Sequence, residues 1–149
     1  MARYLLIVDF QAGVVDTPME EWLPEEVDAH PDYYRVLDRE LVASGELVGS
    51  EVLAGPDLAR LVTSDGTTTT VLDGPFAEFK EWVAGYQIVE VPTEARALEI
   101  AARVSAVPGP GGRATQQPIQ VRRIHESSPQ TADEMVAYLE TASGTERVR

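Results

Sequence analysis

Residues 3–9 (RYLLIVD) and 86–91 (YQIVEV) carry apolar side chains at both odd and even positions. Successive side chains of a strand point to opposite faces, so a strand of this kind is covered on both. In the first stretch Tyr4, Leu6 and Val8 share one face, and Leu5 and Ile7 share the other. Helices packed on one side of a sheet satisfy only half of that demand. A second covering layer is required, and this limits the architecture more than any bulk property does.

The remaining segments supply helices for a single face. Residues 10–31 hold Pro18, Pro24 and Pro31 with an acidic cluster from Glu20 to Asp28, and read as a loop with a helical turn near residues 22–27. A helix is expected over 32–44, where Tyr33, Tyr34, Leu37 and Leu41 form one stripe, with Gly45 at its C-terminal end. Residues 46–53 form a strand. Residues 59–64 and 67–72 form a hairpin about Asp65-Gly66. Thr93 opens a second helix to residue 105, with Ala97, Leu98, Ala101 and Val104 facing inward. The PGPGG run at 108–112 reads as a mobile loop and 119–124 as a last strand. Thr131-x-x-Glu134 forms a capping box before a short helix bearing Met135, Leu139 and Ala142, which Gly144 ends.

The resulting order is β-α-β, a hairpin insertion, β-α-β, and a C-terminal helix. This is an α+β fold with two helices on one face of a four-stranded sheet. A second copy of the chain, sheet against sheet, covers the other face in a closed homodimer. The C-terminal helix covering it in cis is the alternative. Residues 1–125 form the domain, and 126–149 an extension and tail.

The chain has 149 residues, 44% of them apolar, which suffices for one domain with its own core. No apolar run approaches the roughly 20 residues of a membrane span, and no signal-peptide pattern opens the chain, so a cytoplasmic location is expected. The absence of cysteine excludes disulfides and thiolate chemistry. A net charge of −13 argues against nucleic-acid partners. There are two histidines, without H-x-H or H-x₃-H spacing, so no metal site is expected. Neither a P-loop nor a G-x-G-x-x-G or G-x-S-x-G motif occurs, and no cofactor is implied.

The run Asp73-Gly74-Pro75-Phe76-Ala77-Glu78-Phe79-Lys80-Glu81 combines turn and helix-start chemistry. Gly74 permits positive φ, Pro75 suits a first helical position, and Asp73 can accept from the amides that follow. It reads either as a rigid connector or as a cleft edge, with Asp73, Glu78 and Lys80 acting as acid, base or anion-holding group. Lys80 is the only lysine in the chain. The run resembles the DGPF-type signature of the YCII-related family. Residues 2–125, including Ala43-Ser44-Gly45-Glu46-Leu47-Val48 and Ile119-Gln120-Val121-Arg122, follow that family's order. The resemblance implies a ferredoxin-like βαββαβ sandwich that dimerises through its sheets, as in dimeric α+β barrels.

Phe79 stands where the family pattern has Thr. Relatives of the YCII type proper suggest a His–Asp dyad from the first helix and from the chain after the second. Here the first position falls on Tyr33 and Tyr34, with His30 one turn upstream, and the second on Ala106-Val107-Pro108-Gly109. The dyad does not carry over. His30, beside Asp28 and Asp32, stands at the mouth of the expected first helix, as an acid–base group or as a solvent-exposed residue. His125 reads as surface. Trp22, Trp82 and the tyrosines are expected to line an apolar pocket or to belong to the core or an interface.

Two functions are therefore expected to compete. One is a cofactor-independent enzyme or binder of a small, aromatic or lactone-like molecule, with His30, Asp73 and Lys80 in acid–base roles and Arg3, Tyr34, Phe76 and Glu78 toward the ligand. The other is a non-catalytic dimeric interaction module, since DGPF-type domains resemble partners of extracytoplasmic-function sigma factors. A role in assembly for residues 126–149 is a third.

Overall fold

The computed structural model describes residues 1–10, 15, 17–74 and 82–142. The main sheet has four antiparallel strands in the order β2-β5-β1-β6: β1 (Ala2–Phe10), β2 (Leu47–Val52), β5 (Trp82–Val91) and β6 (Ile119–Arg123). Strands β3 (Arg60–Ser64) and β4 (Thr69–Asp73) form a separate two-stranded arm. Helices α1 (Pro24–Ala43) and α2 (Glu94–Ser105) cover one sheet face, and α3 (Ala132–Ala142) follows β6. This is the expected α+β ferredoxin-like arrangement with an inserted hairpin and an extra C-terminal helix. Among the described residues no helix is long and apolar enough to cross a membrane.

The core lies between the helices and that face. Tyr4 and Leu6 of β1 and Val89 and Val91 of β5 meet Leu37 and Leu41 of α1 and Ala97, Ile100, Ala101 and Val104 of α2. The spacing 97, 100, 101, 104 is one helical face. Leu98 was expected inward but is exposed, because Ile100 takes the place on the stripe that period 3.6 assigns. On the opposite face Leu5 pairs with Ile88 and Ile7 with Tyr86 across the β1–β5 ladder, all half-buried. Both α1 and α2 lie on the other side, and α3 exposes Met135, Val136 and Leu139.

The largest departure from expectation is at the start of α1. The helix begins at Pro24, preceded by a short 3-10 turn (Met19–Glu21), and runs through Pro31 instead of starting after it. Proline inside a helix removes one backbone bond and costs about 3 kcal/mol. Contacts made by the first turn of the helix offset that cost. Glu26 accepts from the Leu23 amide at 3.1 Å and from the Gly111 amide at 3.0 Å, so one carboxylate both caps α1 and ties it to the loop after α2. Val27, His30, Tyr34, Leu37 and Leu41 then continue one inward-facing stripe across the proline. At the other end Gly45 takes φ +78, with Gly45 N bonded to Val42 O and Glu46 N to Leu41 O. That is a Schellman motif, which a residue with a Cβ adopts only under strain.

The loop after α2 contains a 3-10 turn at Pro110–Gly112 and is tied back by Thr115 N to Val107 O at 2.9 Å. The PGPGG run is thus shaped by hydrogen bonds on both sides. Arg96 of α2 grips Glu46 in two-pronged fashion, Nε to Oε2 at 2.7 Å and Nη2 to Oε1 at 2.9 Å, locking the start of β2 to the first turn of α2. The Arg96 guanidinium, joined by the Ser44 hydroxyl, draws the Glu46 carboxyl down to about 2.

Candidate functional site

The extension of α1 through Pro31 changes what His30 is. Instead of standing at a helix mouth, it sits inside the helix on the inward stripe, four residues before Tyr34 and eight before Asp38. Its ring is clamped between aromatic neighbours. Trp22 meets it edge-on at 5.7 Å between centroids, and Tyr34 at 5.4 Å. The indole is itself fixed by donation from Nε1 to the Thr17 carbonyl at 2.9 Å.

His30 Nδ1 lies 3.0 Å from the Pro108 carbonyl oxygen. A carbonyl can only accept, so Nδ1 carries the hydrogen, and in the neutral ring Nε2 carries the lone pair. Among the described residues no other group hydrogen-bonds the ring. A backbone carbonyl therefore orients the imidazole in the tautomer that leaves Nε2 basic.

These side chains border a cavity of about 360 Å³, whose walls include Met19, Trp22, His30, Tyr34, Val107 and Thr115. Sheet residues Val8 and Ala84 close its inner side. Thr115 is 3% exposed, and its hydroxyl has no protein hydrogen-bond partner among the described residues. A buried hydroxyl without a partner is uncommon and calls for explanation. Gly109 lets the walls approach: a Cβ there would stand 2.9 Å from Thr115 Cγ2 and 3.4 Å from the Trp22 ring.

Below the cavity the polar stripe continues. Gln87 Nε2 of β5 donates to Asp38 Oδ1 at 2.7 Å. Burial raises the Asp38 carboxyl above its ordinary value, partly opposed by the Gln87 bond. The Tyr34 hydroxyl is pushed up to about 12, first by burial and then by the negative charges of Tyr33 and Asp38 when these are ionised. At neutral pH it is a hydrogen-bond donor, not an anion. One residue before Tyr34, half-buried Tyr33 donates to the Arg103 carbonyl at 2.7 Å and fastens α1 to α2.

Of the residues singled out from the sequence, the structure brings together His30 and Tyr34. Asp73 ends β4 on the arm, ion-paired with Arg60 at 2.9 Å, both side chains largely exposed; it does not border the cavity. Arg3 is an exposed residue of β1 opposite Glu90 of β5. Phe76, Glu78 and Lys80 lie outside the described residues. His125 packs edge-on against Tyr138 of α3 at 5.3 Å. Thr115, Gly109 and Pro108 were missed. Their roles depend on a hydroxyl environment, a backbone carbonyl and a missing Cβ, none of which leaves a motif in the sequence.

The strand order and the two helices on one face define a ferredoxin-like α+β protein, with its cavity beneath the first helix. The family model for the YCII-related domain matches residues 2–119. The chain belongs to the YCII-related family. The match ends at the first residue of β6. A search of curated proteins finds no match.

Proposed function

We propose that the chain is a cofactor-independent protein that binds a small molecule in the His30 cavity and moves a proton on it. The observation that carries this reading is the His30–Pro108 bond, which holds Nε2 as a base in an aromatic cavity. Tyr34, neutral at physiological pH, supplies a hydroxyl donor for an oxygen on the ligand. A base, a donor and an apolar enclosure are what removal of a proton next to a carbonyl or hydroxyl requires. In this reading Asp73, held on the arm by Arg60, has no part in the proton transfer.

The test is solvent exchange. Small carbonyl and phenolic compounds are incubated with the protein in deuterium oxide, and deuterium uptake is followed by proton NMR. The expected result is exchange on at least one compound class that falls by about 10² or more in His30→Gln. Equal exchange with wild type and His30→Gln across the set sinks the reading.

A second reading is favoured by the arm. Leu61, Val62, Val71 and Leu72 are exposed there, and the far sheet face centres on Leu5, Ile7, Tyr86 and Ile88. Apolar surface of this kind is covered in assemblies. A homodimer through the sheet, with the arm engaging a further protein such as a sigma factor, accounts for both. Light scattering checks the dimer: a monomer at micromolar concentration rejects it.

A further inference from the structure

We propose that the cavity ligand is an uncharged, compact ring compound whose oxygen is bound by the Thr115 hydroxyl, and that the site rejects carboxylates and phosphates. The inference rests on reading the His30 cavity as the functional site and adds the chemical class of its occupant.

The lining carries it. The described residues that border the cavity include no aspartate, glutamate, lysine or arginine. A carboxylate or phosphate taken into such a site leaves water and meets no permanently cationic side chain among the described lining residues, which is unfavourable while the His30 ring is neutral. Asp38 lies one turn beyond Tyr34 on the same helix, and its charge disfavours a further negative charge beside the Tyr34 ring. The chain's charge of −13 adds a repulsive field at longer range. At about 360 Å³ the cavity is at the small end of ligand pockets, and Trp22, His30 and Tyr34 offer ring edges and faces for a flat ring.

Thr115 supplies the polar anchor. Thr115 borders the cavity, and its buried hydroxyl lacks a protein partner among the described residues. The backbone fixes its place through Thr115 N to Val107 O at 2.9 Å. A ligand oxygen completes its hydrogen bonding, and a hydroxyl can serve either a carbonyl or a phenol.

The experiment compares 4-hydroxybenzoate with its methyl ester, a pair of similar shape differing in charge. Binding to the full chain is followed by the NMR signals of the Trp22 indole N–H, the His30 ring and the Thr115 amide. The ester is expected to shift all three and to bind at least tenfold more tightly than the carboxylate. Thr115→Val is expected to weaken the ester about fivefold while leaving the thermal unfolding midpoint at or above wild type. If the carboxylate binds as well as the ester, the charge inference is overturned while the cavity reading stands. If the ester shifts these signals but Thr115→Val binds it unchanged, the hydroxyl anchor is overturned. If neither compound moves them at millimolar concentration, the inference and the cavity reading fall together.

Discussion

His30 Nδ1 and the carbonyl oxygen of Pro108 stand 3.0 Å apart although 78 residues separate them in the chain. The contact joins the seventh residue of α1 to the loop after α2 and fixes which nitrogen holds the hydrogen. Long-range proton–nitrogen correlation spectra should therefore show the neutral His30 ring protonated at Nδ1. Observation of the Nε2-protonated form removes the basis for a base facing the cavity.

Thr115→Val is expected to change little or to stabilise the free protein by up to about 1 kcal/mol, because it removes a buried hydroxyl that has no protein partner. Thermal or denaturant unfolding measures this. A loss of about 2 kcal/mol identifies the hydroxyl as structural.

Gly109→Ala should be unfavourable by about 1–3 kcal/mol, since its Cβ meets the stiff, β-branched Thr115 side chain at Cγ2, 2.9 Å away, and something must shift. The same change should move the Trp22 fluorescence maximum. A variant with wild-type stability and spectrum contradicts the tight approach of these walls.

Tyr34 should be absent from the tyrosine ionisation seen near pH 10 and appear only at about 12. Because its folded value is raised, the stability it contributes is complete below pH 10 and is lost as pH rises through 12. The difference in alkaline absorbance titration between wild type and Tyr34→Phe isolates this group. A difference centred at pH 10 contradicts the burial.

Glu46 behaves in the opposite sense. Its carboxyl is held at about 2, against 4.5 when unfolded, by the Arg96 guanidinium. The stabilisation is present above pH 4.5 and is lost as pH falls toward 2. Glu46→Gln should cost about 1–2 kcal/mol at pH 7, a figure reduced by the partial exposure of Arg96, and much less near pH 2. A cost independent of pH points to packing instead of charge.

The layers of the fold were legible in the sequence because hydrophobic periodicity reports them directly. The two-sided strands, the stripe Tyr33, Tyr34, Leu37 and Leu41, and the Asp65-Gly66 hairpin all occupy the expected elements. The site was only half legible. His30 and Tyr34 were singled out, but Pro31 read as a boundary, since local rules favour a break before proline. The ties of Glu26 to Gly111 and of His30 to Pro108 are tertiary, and they decide otherwise. Leu98 was put on the stripe in place of Ile100, two positions on, an error that a short amphipathic pattern readily allows.

The arm has a topological consequence. Strands β2 and β5 are direct neighbours, Val52 stands opposite Gly85, and Leu53 N bonds to Ala84 O. The chain leaves the main sheet and returns to it at almost the same rung, so everything between is a detour from an otherwise complete four-stranded ladder. Residues 54–73 can therefore change in length, sequence or partner while the packed layers keep their register. The two parts of the molecule are free to diverge at different rates, with the cavity built on the four-stranded part and the arm outside it.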